Sequence, residues 1–255
     1  PKNQTKPTTW EAAEKFIKSH FSKHRGRGLH VLSQANPSWT FRSLASRVLE
    51  DRYKGAKWYT YESLSHDNER EGLSVAFKGD KGAADGANRA VYNLEAARAV
   101  LALDSDFLGS DARSVANADS WATLRDPDAY RGRMSRLYSV EPVLSLTGSN
   151  ADHRMRLRHE DIEAFAFQLA IELAKDGKRV SPKLFAAAQK RAASLSPEAK
   201  KFAAVVAQDL AAAEPKVTPR AINGVVIAGP RQSALVHNLV ASINQALGGT
   251  AETVN

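Results

Sequence analysis

Apolar residues recur along this chain at two different periods, and the two kinds of segment alternate. Trp10, Ala13, Phe16, Ile17 and Phe21 fall at helical spacing behind Thr8 and Glu11, a capping-box pair, so a first helix is predicted over about 10–24. Gly26 and Gly28 end it. Residues 29–32 (LHVL) read as a short buried strand leading into a loop over 33–37. From Thr40, the positions Phe41, Leu44, Ala45, Val48 and Leu49 make one helix face, and residues 57–61 (KWYTY) form an aromatic, strand-favouring run. An α-β-α-β order needs crossover connections, and these belong to parallel sheets covered by helices.

The same rhythm continues. Residues 99–103 (AVLAL) and 136–141 (RLYSVE, closed by Pro142) read as central strands, and 161–175 as a helix carrying Ile162, Phe165, Leu169 and Leu173 on one face. Ser181-Pro182 and Ser196-Pro197 each open an Ala-rich helix, together predicting a helical hairpin inserted at about 181–213. Residues 221–228 form the next strand, and 233–247 a helix that stops at Gly248-Gly249. Glycine-rich residues 78–86 lack the strand-before, helix-after setting of a phosphate loop and read as a surface loop. The pattern therefore predicts one α/β domain over 1–255: a Rossmann-like three-layer sandwich with a mainly parallel sheet, plus the helical hairpin insertion.

Composition narrows the chemistry. The 255 residues contain no cysteine, which removes disulfides, thiolate-held iron-sulfur clusters and thiolate zinc from this segment. With a mean hydropathy of -0.41 and no apolar run near the roughly 20 residues of a membrane helix, no spanning segment is predicted. The chain opens Pro1-Lys2-Asn3-Gln4, without Met or a secretory apolar region, and reads as an excised domain or trimmed product of a longer chain. The net charge is +8 and the pI about 9.7, with basic residues interspersed among acidic ones, as on a solubilising surface.

Three stretches, VLALDSDFLGS over 100–110, LYSVEPVLSLTGSNADH over 137–153 and VVIAGPRQSA over 225–234, in that order and spacing resemble the molybdopterin oxidoreductase superfamily. With Met134-Ser-Arg-Leu-Tyr138, they are most similar to the molybdopterin-like domain of the large iron-sulfur subunit of alternative complex III and its relatives. The resemblance implies a fragment of a longer polypeptide whose remainder carries iron-sulfur clusters, in a membrane-associated complex passing electrons from quinol to an acceptor. It implies partners in that iron-sulfur region and the other subunits, a place on the periplasmic face of a bacterial inner membrane, and loss of the molybdenum cofactor. No nucleic acid is expected.

Candidate residues follow from both readings. Asp104 and Asp106 lie at a strand end with Gly109 close behind, where open α/β sheets place ligands. Thr147, Asn150, Asp152 and His153, near Gly148, offer hydroxyl, amide, carboxylate and imidazole groups close together in sequence. These are the cofactor-binding candidates if a ligand crevice persists; otherwise Asp104 and Asp106 make a turn and the second group a loop held by its own polar side chains. His66 and Asp67 lie where active relatives supply a metal ligand, but Ser65, Asp67 and Glu69 equally suit a helix N-terminus. Arg131, Arg133 and Arg136, beside Tyr138, suit a protein interface. No Gly-x-Ser-x-Gly elbow is present, and no catalytic residue, metal ligand or cofactor is assigned within the chain. Three functions remain: a cofactor-free structural domain of an electron-transfer subunit, a module still binding a pterin, nucleotide or other anion at the carboxyl edge of the sheet, or an active molybdoenzyme domain using Asp or Ser as metal ligand.

Overall fold

The computed structural model describes residues 7–36, 38–77, 89–126, 128, 134–178, 180–212, 222–248 and 252–254. The chain divides into two compact units, residues 1–63 and 64–255.

In the first unit, helix α1 (Trp10–His24) is capped by the Thr9 hydroxyl, which accepts from the Ala12 N–H at 3.3 Å, one position later than the capping box predicted. Arg25 closes it in the left-handed region at φ 47°. Strand β1 (His30–Ser33), helix α2 (Trp39–Ser46) and strand β2 (Lys57–Thr60) follow. β1 and β2 pair in parallel, with His30 opposite Lys57 and Leu32 opposite Tyr59. Trp58 anchors the inner face: its indole N–H donates to Ser33 Oγ at 2.9 Å and its ring meets Phe41 edge-on.

The second unit opens with helix α3 (Asp67–Ala76) and strand β3 (Arg89–Val91), then strand β4 (Ala97–Leu103), helix α4 (Ser114–Leu124), strand β5 (Arg136–Glu141), the short helix α5 (Leu146–Ser149) and strand β6 (His153–Arg156). Helices α6 (His159–Lys175), α7 (Pro182–Arg191) and α8 (Pro197–Ala211), strand β7 (Ile222–Ala228), helix α9 (Ala234–Ala246) and strand β8 (Glu252–Val254) complete it. Four strands form one parallel sheet in the order β6-β5-β4-β7. β4 is apolar at nearly every position because both its faces are covered. Ala99, Leu101 and Leu103 point to one side, against Phe165, Leu169, Val206, Leu210 and Val240 of α6, α8 and α9. Val100 and Ala102 point to the other, against Phe107 and Trp121. This is the three-layer α/β sandwich that the pattern predicts.

One expectation is corrected. Residues 29–32 and 58–61 are predicted in the same sheet as the central strands, whereas β1 and β2 form a separate two-stranded sheet. Hydrophobic pattern identifies a strand but not its neighbour, and four-residue strands carry too few positions to specify one. The antiparallel pair β3-β8 and strand β6 also escape the pattern, since His153-Arg-Met-Arg156 is largely polar. The hairpin of α7 and α8 is present, and α8 lies directly on the sheet, burying Ala199, Ala203, Val206 and Leu210. Among the described residues no helix is long and apolar enough to cross a membrane.

A polar contact ties α8 to the sheet's amino edge. The Tyr138 hydroxyl and Arg136 Nη1 both donate to Asp209 Oδ2, the latter at 2.5 Å. Burial, and then the Asp209 carboxylate beside it, push the Tyr138 hydroxyl up to about 12. The folded value lies above the ordinary phenol value of about 10, so the stabilisation is complete below that pH and lost as pH rises through about 12. An ultraviolet phenolate titration should therefore show one tyrosine ionising near pH 12, with a loss of stability over the same range, and Tyr138→Phe should remove both. A Tyr138 that titrates with the exposed tyrosines would contradict the contact.

Candidate functional site

β4 feeds β5 and β6 on one side and lies beside β7 on the other, so the sheet's connections diverge between β4 and β7. Loops leaving the carboxyl ends at such a point splay apart and leave a crevice, the usual place for ligands in open α/β sheets. Three groups of sequence candidates can be located against this frame.

Asp104 is the first residue past β4. Its backbone takes φ 51°, a left-handed conformation that Asp tolerates better than most residues, while its N–H still bonds to Val140 O at 2.8 Å. This turns the carboxylate inward, where it is almost completely buried. Arg231 donates to one oxygen at 2.6 Å; Gln232, at 3.1 Å, and His159 Nδ1, at 3.1 Å, reach the other. Gly229, after β7, lies so close that a Cβ there would meet the Asp104 carbonyl oxygen at 1.8 Å, so only glycine lets the two strand ends approach.

Asp106 holds the next loop. It accepts from the Thr147 N–H and hydroxyl at 2.9 and 3.0 Å and from the Ser110 N–H at 2.9 Å. Burial opposes ionisation of this carboxyl, but the Thr147 and Ser110 donors outweigh it and hold it below the ordinary aspartate range. Thr147 is fully buried and also accepts from the Leu108 N–H, so Asp106, Gly109 and Thr147 do come together at the carboxyl edge. Asn150 turns back to its own helix, donating to Leu146 O at 2.8 Å.

Asp152 and His153 lie at the opposite edge. A parallel neighbour of β5 must start at the amino end of the sheet, so the crossover through α5 carries the chain back there before β6 begins. Asp152 accepts from the Leu137 N–H at 2.8 Å and takes a two-pronged contact from Arg125 at 2.9 and 3.0 Å. His153 stacks on Tyr138 with ring centroids 5.1 Å apart. Residues 131 and 133, the first two arginines of the interface candidate, lie outside the described residues.

The crevice itself is a cavity of about 350 Å³ between the ends of β4 and β7, floored by Phe107 and Ile227. His66, Glu69 and Arg89 form one wall. His66 Nδ1 contacts Glu69 Oε2 at 3.1 Å, and Arg89 Nη2 reaches His66 Nε2 at 3.1 Å. Asp67 opens α3 with its N–H on Ser65 Oγ at 3.4 Å, in keeping with a helix N-terminus. On the facing wall Asp111 accepts from the Ser105 hydroxyl at 2.8 Å, and burial raises its carboxyl above the ordinary range despite that bond. Arg89, Asp111, His159, Arg231 and Gln232 were not singled out from sequence. For Arg231 and Gln232 a signal existed, because they follow β7 in the stretch GPRQS and strand carboxyl ends converge in this fold class.

No protein-family model and no curated protein matches the sequence. Among solved structures 27 chains match. One is acetylene hydratase from Pelobacter acetylenicus, at 12% identity and a TM-score of 0.54, over 96% of this chain and 33% of that one. The fold is like that of acetylene hydratase. At this identity the likeness is one of fold alone. The chain spans about a third of the length of that structure.

Proposed function

We propose that this chain is a cofactor-free structural domain of an iron-sulfur oxidoreductase subunit, within a membrane-associated complex that passes electrons from quinol to an acceptor on the periplasmic side. The observation that carries this reading is that the acidic groups at the carboxyl edge are consumed by the protein itself. Asp104 meets Arg231, Gln232 and His159; Asp106 meets Thr147 and Ser110. A metal-bearing pterin with a phosphate tail fits poorly here. The remaining cavity of about 350 Å³ is near the lower end of the roughly 300–1,000 Å³ of ligand sites, and two carboxyl-bearing residues, Glu69 and Asp111, face into it. With no cysteine in its 255 residues the chain offers no thiolate for a cluster, so on this reading the clusters belong to another part of a parent protein. Elemental analysis together with oxidative extraction for fluorescent pterin tests the reading: neither molybdenum, tungsten nor pterin is expected, and a stoichiometric amount of any would overturn it.

A second reading is a module that binds a pterin, nucleotide or other small anion at the switch point, for which Arg89 on the cavity wall is the one observation in favour. A thermal-shift series with such ligands separates the two. A true ligand at 100 times its dissociation constant adds roughly 2.7 kcal/mol to stability.

A further inference from the structure

The positive charge of the chain is concentrated in one unit. Residues 1–63 hold 12 Lys and Arg against 5 Asp and Glu, a net +7 of the whole chain's +8, and residues 64–255 are close to neutral. The same quarter of the sequence holds 9 of the 19 aromatic residues. Many of these are uncovered: Trp10 is 86% exposed, Trp39 82% and Phe16 68%, and the aliphatic Leu32 is 71% exposed. Neither α1 nor α2 has a buried residue.

The exposed groups are ordered. On α1, Phe16, Ile17 and Trp10 fall on one stripe, with Lys23 at one border and, at the other, Lys18 ion-paired at 2.9 Å to Glu14, by the 100° turn per residue of a helix. On the sheet, Leu32 and Tyr59 stand side by side on the outer face, with His30 stacked on Tyr59 and Lys57 next to it. Parallel strands are normally covered on both faces, and here one face is not.

We propose that this unit docks on an anionic lipid surface, with Trp10, Phe16 and Ile17 entering the boundary between headgroups and acyl chains and the flanking lysines remaining at the phosphates. Lysines beside an apolar stripe keep their ammonium groups in water while their stems lie on the apolar phase. Single-stranded nucleic acid would use the exposed aromatics, but its bases stack and do not desolvate aliphatic side chains such as Ile17, Leu32 and Leu44. An acidic protein would present carboxylates at fixed positions, whereas the charges here are dispersed over helix, strand and turn. Laterally mobile anionic headgroups neutralise dispersed charge without a matched pattern. This proposal goes beyond the structural-domain reading and does not depend on it, because lipid binding is measured on the chain whether or not the sheet carries a cofactor.

The test is co-sedimentation of the 255-residue chain with vesicles of phosphatidylcholine containing about one third phosphatidylglycerol. Binding is expected with a blue shift of tryptophan fluorescence, and at least about tenfold weaker binding to pure phosphatidylcholine. The combined change Trp10→Ala, Phe16→Ala and Ile17→Ala should weaken binding roughly tenfold or more with circular dichroism unchanged. Lys18→Glu with Lys23→Glu, which leaves the apolar stripe intact, should do the same in a salt-sensitive way. Equal binding to neutral vesicles overturns the proposal, as does failure to sediment, or retention only by a polyuridylate or polyglutamate matrix.

Discussion

Replacing Arg154 with Leu should cost about 3 kcal/mol of folding stability, read as a lower urea midpoint at unchanged slope. Glu141 ends β5 with its carboxylate only 3% exposed, and Arg154 Nε on β6 donates to it at 2.6 Å. The Ser145 hydroxyl, at 2.6 Å, is its other strong donor. Breaking a buried pair by removing one partner typically costs about 3–5 kcal/mol, because the remaining charge has no water to return to. The lower end applies, since Arg154 itself is partly solvated and Ser145 stays. Gly148 bars an easy escape: a Cβ there would fall 1.8 Å from Glu141 Oε1, so the carboxylate is packed flat against the Thr147-Gly148 backbone. Adding Glu141→Gln to the Arg154 variant should restore about half of the loss, because a neutral amide is far cheaper to bury. A loss below about 1 kcal/mol in the single variant would mean that the carboxylate reaches solvent.

That pair illustrates what the sequence could and could not disclose. β5 is legible because Leu137, Tyr138 and Val140 are apolar and Pro142, lacking an N–H, must end the ladder. Its partner β6 is not, since His153, Arg154 and Arg156 carry no strand pattern; the segment is a strand because β5 offers it backbone partners in parallel register. The long elements repeat this lesson. α1, α6 and α8 are read closely from period and caps, whereas the separation of β1-β2 from the main sheet depends on long-range pairing that no local signal encodes.

At the candidate site, neighbours in sequence proved poor guides to neighbours in space. Thr147 and Asp152 are five residues apart, yet they serve opposite edges of the sheet because a crossover lies between them. Asp104 and Arg231 are 127 residues apart and touch at 2.6 Å, because β4 and β7 are adjacent strands ending at the same edge. Topology, once known, predicts such convergence.

Asp104 is therefore where structural and binding roles can be told apart. A group kept for binding is commonly a liability to the fold, and neutralising it then raises stability at the expense of function. A group kept for the fold does the reverse. Asp104 joins β4 to the first residue of α6 through His159 and to the turn after β7 through Arg231 and Gln232. Gln232 is almost fully buried, so loss of its acceptor leaves its amide with only a long 3.4 Å contact to His159 Nδ1, whereas Arg231 and His159 are half-exposed and can turn to water. Asp104→Ala should accordingly cost about 3 kcal/mol, combining a stranded amide with a left-handed residue that lacks a side-chain anchor. Asp104→Asn, which tolerates the same backbone and keeps one acceptor oxygen, should cost roughly half as much. Urea unfolding of both variants, with a double-mutant cycle against Arg231→Met, measures these terms. An Asn variant more stable than the parent would show that the carboxylate is held against the interest of the fold, and would move the balance from the structural-domain reading to the binding one.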